Sequence, residues 1–272
     1  MRLLTQNLYM RPPGISDRNG DYKDERLAKF KELLVDYDVV CLQECFGSFS
    51  NRRKNLIEYA KSIGFKHSVT GPGRNVMKGK LVDSGLLILS RFKILETMEI
   101  QYTKSAYSDK YSSKGAIFIK VEIKGIPVFV FTTHLQASYR LHLTEQDLEV
   151  QVRNSQLHEF GAFIRYSTTE DDRVIVCGDF NVNSRLHQFE YERLSQQVEM
   201  KDAALELLDD HPITFYPWNY RFKGSPKPEE KECLDYVFTQ NVKTESIVVH
   251  SEEYPFKWKN VSDHFGVELL FQ

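Results

Sequence analysis

The chain has 272 residues, 41% hydrophobic and 12% aromatic, enough apolar material for two average domains or one larger α/β sandwich. Thirty-six Lys and Arg against 38 Asp and Glu leave a formal charge of −2, which argues against a dedicated nucleic-acid binder. No apolar run of about 18 residues and no secretory h-region occurs, so a membrane would be met from its surface.

The first predicted element is a strand from Leu3 to Met10, closed by the breakers Arg11-Pro12-Pro13-Gly14. Leu27, Phe30 and Leu34 then share one helical face, and the buried strand VVCLQ follows. Leu56, Ala60 and Ile63 mark a second helix, stopped by Gly64. Segments 85–89, 94–102, 115–123 and 126–132 read as strands, with Lys124-Gly125 as a hairpin turn. Leu157, Phe160 and Ile164 give a third helix, RVIVC a strand, and residues 184–208 a helical stretch. Strands at 234–238, 242–249 and 267–271 close the chain. This mixture of hairpins and helical crossovers predicts two packed sheets with helices outside, in one domain spanning 1–272. The Pro-rich run 226–231 reads as a surface loop, not a boundary.

Cys41, Cys45, Cys177 and Cys233 form no metal-type pair of CxxC motifs. Reduced thiols and a cytoplasmic setting, with peripheral membrane contact, are the expectation.

Polar residues recur where strands end: Gln6-Asn7, Gln43-Glu44, His134-Leu135-Gln136, Asp179-Phe180-Asn181, Asp235 and Ser262-Asp263-His264. Each alone is more often a cap, a turn or a satisfied structural residue. Together they supply what phosphodiester hydrolysis requires, if the strand ends share one rim. Mg²⁺ takes one or two carboxylates with other oxygen ligands, which Glu44 and Asn7 provide. An attacking water needs a base, and His264 held by Asp235 makes such a pair. His134 and Asn181 are donors for charge developing on phosphorus.

Asn7, Glu44, GDFN and SDH, in this order and at these intervals, resemble the endonuclease/exonuclease/phosphatase superfamily. LQECF (42–46), SGLLILSR (84–91), YSSKGAI (111–117), THLQA (133–137), VRNSQL (152–157), VCGDFNVN (176–183), LDYVF (234–238) and SDHFGVEL (262–269) narrow the resemblance to the neutral sphingomyelinases. The W-x-G-D-x-N-x-R and C-D-R blocks of phosphoinositide 5-phosphatases are replaced by GDFNVN and LDYVF.

The resemblance implies a DNase I-like four-layer α/β/β/α sandwich with its active site at one rim of the sheets. It implies Mg²⁺, with Mn²⁺ able to substitute, on Glu44 and Asn7, with Asp263 reaching the metal through water. His264 is the implied base, oriented by Asp235. His134 meets the phosphoryl charge or assists the leaving group, and Asp179 and Asn181 position water and phosphate. Lys114 is a supporting substrate-binding candidate. The implied reaction releases ceramide and phosphocholine from sphingomyelin or a related sphingolipid.

A lipid substrate requires an interface. Tyr254-Pro255-Phe256-Lys257-Trp258 and Phe215, Tyr216, Trp218 and Tyr220 are aromatic clusters suited either to a headgroup boundary or to core packing; Phe46, beside Glu44, is a third contact candidate. No transmembrane tail is expected beyond Gln272. Two other functions fit the same residues: a Mg²⁺-dependent nuclease acting on DNA or RNA, and a binding module that has lost catalysis, although every expected position is filled.

Overall fold

The computed structural model describes residues 1–13, 21–216 and 231–272. Gly14, Trp218, Tyr220 and the run 226–230, all invoked above, lie outside the described residues.

Twelve strands form two six-stranded sheets among the described residues. The first contains β1 (Arg2–Met10), β2 (Val39–Cys45), β3 (His67–Thr70), β4 (Leu87–Ser90), β11 (Thr244–His250) and β12 (Gly266–Phe271), in the order β11-β12-β1-β2-β4-β3. The second contains β5 (Ile94–Gln101), β6 (Gly115–Ile123), β7 (Ile126–His134), β8 (Arg173–Asp179), β9 (Lys201–Asp202) and β10 (Asp235–Gln240), in the order β5-β6-β7-β8-β10-β9. Helices α1 (Lys23–Leu33) and α2 (Arg52–Ser62) pack on the first sheet. Helices α3 (Leu148–Ser167) and α4 (Gln188–Val198) pack on the second, and α5 (Ala203–Leu208) follows β9.

Alternation along the strands builds this layering. Leu3, Val39, Cys41 and Ile88 of one sheet meet Ile119, Val130, Ile175 and Val237 of the other in the central core. Their neighbours face outward: Leu4, Val40 and Leu42 pack against Leu27, Phe30 and Leu56, while Phe129, Phe131 and Val176 pack against Leu157, Phe160 and Leu194. The result is the expected α/β/β/α sandwich. Because both faces of each sheet are covered, strands such as VVCLQ read as continuous apolar runs.

Lys124 and Gly125 have φ of 53° and 80°, the paired positive values of a two-residue hairpin turn between β6 and β7. The 184–208 stretch is not one helix. Glu199 turns left-handed (φ 56°), Lys201–Asp202 pairs with β10, and Asp202 Oδ1 then caps α5 by accepting from Ala204 N at 2.9 Å. The short edge strand β3 was absent from the sequence reading, because HSVT offers only one apolar residue.

Strand direction decides where the site lies. β1 and β2 are parallel, as are β7 and β8, so their C-terminal ends share a rim. β12 is antiparallel to β1 and β10 to β8, which brings their N-terminal ends to that same rim.

Candidate active site

Asn7, near the end of β1, and Glu44, near the end of β2, stand on the first sheet; His134, Asp179 and Asp235 stand on the second. His264 precedes β12. Two glycines let these ends come close. At Gly178 φ is 144°, and a Cβ there would lie 2.3 Å from Thr133 O. At Gly85 φ is 74°, and a Cβ would meet the Glu44 backbone at 3.2 Å. These are the glycines of GDFN and SGLL.

The candidate groups make one connected network. His264 Nδ1 lies 2.8 Å from Asp235 Oδ2, and its Nε2 lies 3.6 Å from Asp179 Oδ2. Asn7 Nδ2 donates to Asp179 Oδ2 at 2.9 Å and approaches Glu44 Oε1 at 3.4 Å. Asn181, left-handed at φ 53°, donates from its backbone to Asp179 Oδ1 at 3.0 Å and from Nδ2 to Leu135 O at 3.1 Å. Lys114 Nζ lies 3.0 Å from Asp109 Oδ2 and 3.1 Å from His134 Nε2. Asp263 is buried, with Ser262 Oγ donating to its Oδ1 at 3.2 Å.

Burial and neighbouring charge pull these groups apart. Burial would lower His264, but Asp235 and Asp179 outweigh it and hold the imidazole well above its ordinary pKa. His134 moves the other way: burial, then Lys114 and His264, push it well below the ordinary value and keep it neutral. Burial pushes Glu44 up to about 7, and repulsion from Asp263 adds to this. Glu44 Oε2 is buried with no hydrogen-bond partner among the described residues. An unpartnered carboxylate oxygen beside a second carboxylate and an amide fits a hard divalent cation.

The surrounding shell explains the remaining motifs. Arg153 of VRNSQL forms a two-pronged pair with Glu190 (2.8 and 2.9 Å) and donates to Gln136 O at 2.9 Å. Gln156 Oε1 accepts from Gln136 N at 2.7 Å, so α3 clamps the segment after His134. Arg26, fully buried, donates to the carbonyls of Leu8, Tyr9, Asp21 and Val261, tying the end of β1 to the approach to His264.

A cavity of about 680 Å³ opens over the network. Glu44, Lys114, His134, Asp179, Asn181, Asp263 and His264 line it, and Phe46 joins them. Its outer walls are largely apolar, with Phe49, Leu81, Tyr111, Tyr139 and Phe215. The Phe215 ring lies 4.7 Å from His264.

Trp258 corrects the sequence reading. It is 5% exposed, stacks on Phe256 at 4.7 Å and belongs to the apolar cluster with Leu27 and Phe30, away from the cavity. An indole preceding SDH packs on α1 because that helix presents an apolar face there. Sequence reasoning missed Asp109, which pairs with Lys114, and Glu232 and Asn183, which line the cavity. Asn183 lay within the quoted VCGDFNVN block; the polar run around Glu232 carried no signal.

Residues 4–264 match the model of the endonuclease/exonuclease/phosphatase family. A sphingomyelinase of Dictyostelium discoideum is 30% identical over 203 residues, covering 65% of this chain and 43% of its own length. A candidate neutral sphingomyelinase of Caenorhabditis elegans is 27% identical over 304 residues, covering 100% of this chain and 66% of the relative. The chain thus spans less than two thirds of either. A phospholipase C of Staphylococcus aureus is 25% identical, covering 98% of this chain and 86% of the relative. Among solved structures, a Staphylococcus aureus beta toxin with bound magnesium ions has a TM-score of 0.78 at 19% identity, covering 100% of this chain and 99% of its own. Sphingomyelinase C of Streptomyces griseocarneus has a TM-score of 0.74 at 20% identity, with 98% of each chain covered. These likenesses establish the shared fold.

Proposed function

The chain belongs to the endonuclease/exonuclease/phosphatase family, and from that premise we propose a divalent-metal-dependent phosphodiesterase of the phospholipase C type, cleaving sphingomyelin or a related sphingolipid to ceramide and phosphocholine. The observation that carries the reading is the His264–Asp235 pair at 2.8 Å, set beside Asp179 at the base of a cavity with apolar outer walls.

Glu44 holds the cation in this reading, with Asp263 close by. Asn7, expected to join it, instead directs Nδ2 at Glu44 and Asp179 while its Oδ1 accepts from Tyr9 N at 2.9 Å, and so orients the carboxylates. The ligand atoms of Asp179, Asp235 and His264 also lie within 4.8 Å of one another. A cation there would displace the proton that His264 shares with Asp235, so that cluster is assigned to proton transfer instead. When bound, the cation offsets charge on a phosphoryl oxygen as a Lewis acid; Mg²⁺ suits the oxygen-rich set.

Asp179 and Asn181 orient the attacking water against phosphorus. His264 Nε2 takes its proton, and Asp235 holds Nδ1 and steadies the imidazolium. As the water oxygen bonds to phosphorus, the bond to the ceramide oxygen breaks opposite it, and that oxygen takes a proton from solvent as ceramide departs. With Lys114 donating into its Nε2, neutral His134 carries its proton on Nδ1, which has no partner among the described residues. His134, which lines the cavity, and the Lys114 charge beside its Nε2 meet the developing phosphoryl charge.

Approach to a lipid surface is assigned to the cavity lip. Phe49 and Leu81 line it and are exposed, Val76 and Met77 are exposed on the turn preceding Leu81, Arg74 lies over the Phe49 ring at 5.0 Å, and Lys78 and Lys80 share that turn. Apolar and basic residues together suit an anionic bilayer. Among the described residues no helix is long and apolar enough to cross a membrane. A cytoplasmic location is part of the proposal, supported by four free, buried cysteines.

The test compares Mg²⁺-dependent phosphocholine release from sphingomyelin with cleavage of nicked or abasic DNA. Robust DNA cleavage without lipid turnover would replace this reading with the nuclease one.

A further inference from the structure

Glu232 stands one backbone ladder away from the general base. Its N donates to Phe215 O at 3.1 Å, and its O accepts from Phe215 N at 3.0 Å. Phe215 also bridges to His264, with the two rings 4.7 Å apart. The Glu232 side chain therefore lines the same cavity as His134, Asp179 and His264. Its Oε2 accepts from Asn183 Nδ2 at 3.0 Å, which fixes the plane of the carboxylate. Among the described residues it has no salt-bridge partner, in contrast to the paired Asp109 and Glu190.

A largely buried carboxylate with no salt bridge among the described residues is costly, and burial pushes Glu232 up to about 7 although the Asn183 contact and the charges of His264 and Arg153 pull the other way. Such a group is uneconomical as a structural device, since a neutral glutamine would serve Asn183 equally well. In a substrate cavity the missing cation can arrive on the ligand.

We propose that Glu232, oriented by Asn183 and flanked by the Phe215 ring, is the subsite for a quaternary-ammonium headgroup on the diester whose phosphorus sits at Asp179 and His264. The proposal rests on the sphingolipid reading and adds the residue that recognises its headgroup. A quaternary ammonium has no N–H to donate, so it is recognised by opposite charge and by aromatic faces. Glu232 and Phe215 supply one of each. A polyol headgroup such as phosphoinositol would instead bring hydroxyls against an aromatic wall and leave the carboxylate without a cation. Glu232 is thus a specificity-determining residue that acts on binding, while the proton chemistry stays with His264.

The experiment uses the full chain with Mg²⁺ and the variant Glu232→Gln, which keeps the shape and the Asn183 contact. Three quantities are read: kcat and KM on sphingomyelin in mixed micelles, the Ki of phosphocholine as a competitive inhibitor, and turnover of bis(4-nitrophenyl) phosphate, a diester without a cation. The expected result is a rise of about tenfold in both KM and Ki, the size of one charge-assisted contact, with kcat and nitrophenyl turnover held. Unchanged KM and Ki would overturn the subsite. So would a parallel loss on all three probes, which would mark Glu232 as structural. A wild-type protein that cleaves phosphoinositol and phosphocholine sphingolipids equally well also overturns it, while sparing the phospholipase C reading. If the wild type hydrolyses the nitrophenyl diester but neither cleaves sphingomyelin nor binds phosphocholine, the sphingolipid reading itself fails.

Discussion

Asn7 Nδ2 donates to Asp179 Oδ2 at 2.9 Å, joining the rims of the two sheets through side chains 172 residues apart in sequence. The same Oδ2 lies 3.4 Å from His134 Nε2 and 3.6 Å from His264 Nε2, so one carboxylate oxygen stands between the two imidazoles. Removing the amide with Asn7→Leu leaves Asp179 buried without this donor. Stability is expected to fall by about 1–3 kcal/mol. Urea denaturation measures the loss, and kcat is expected to fall with it, because Asp179 loses the contact that aims it.

Glu44→Gln separates metal binding from stability. The Glu44 carboxyl is raised to about 7, so its ionised form is disfavoured in the folded protein. The resulting destabilisation is greatest above pH 7, shrinks as pH falls toward 4.5 and disappears below it, where the carboxyl is protonated in both states. Metal-free Glu44→Gln is therefore expected to melt a few degrees above the wild type at pH 8, with that gain shrinking by pH 5. It is also expected to lose the thermal shift produced by Mg²⁺ and to be inactive. An equal Mg²⁺ shift in both proteins would move the cation away from Glu44.

The His264–Asp235 pair makes a pH prediction. His264 must be neutral to accept a proton, and the neighbouring carboxylates favour its charged form. Activity should therefore fall on the acid side as His264 protonates. Asp235→Asn removes one of the carboxylates that raise it, so the acid limb of kcat/KM is expected to move to lower pH. The maximum should drop about 10²–10⁴-fold as orientation is lost. An acid limb unmoved by Asp235→Asn would assign it to another group.

Arg153 and Glu190 form a fully buried ion pair whose arginine also holds Gln136 O. Arg153→Met leaves Glu190 buried and uncompensated, at an expected cost of about 3–5 kcal/mol. Adding Glu190→Met to it should recover much of that stability but not the position of the segment after His134. The double variant is thus expected to fold and to turn over slowly, read by denaturation and steady-state assay together.

Met77→Asp places a charge on the exposed lip, away from the catalytic network. Turnover of sphingomyelin in anionic vesicles is expected to fall about tenfold, the effect of losing one inserted apolar side chain. Turnover of a soluble diester should not change. A vesicle-sedimentation assay giving equal binding for both proteins would remove this lip from the membrane-facing surface.

The fold was legible because both its periodicities were intact. Buried strands such as VVCLQ and RVIVC appeared as apolar runs, and the first three helices showed one apolar face each. The break between α4 and α5 was hidden, since it depends on Lys201–Asp202 finding β10. Among site residues, those in short motifs at strand ends were visible. Glu232 was not, because nothing local distinguishes an acidic residue that faces a cavity from one in solvent. Trp258 stood open between a substrate contact and core packing, because an aromatic beside a short motif fits both; its packing against α1 decides for the core.

By itself the sequence determined the strand ends, the residue types they carry and the family those intervals resemble, since each depends on spacing along the chain. Tertiary structure alone decided that Asn7 meets Asp179, that Glu232 faces the cavity and that Trp258 does not. Those contacts follow from how two sheets stack and from the direction in which each strand runs. Such pairings join residues far apart in the chain, where local pattern carries no information about distance.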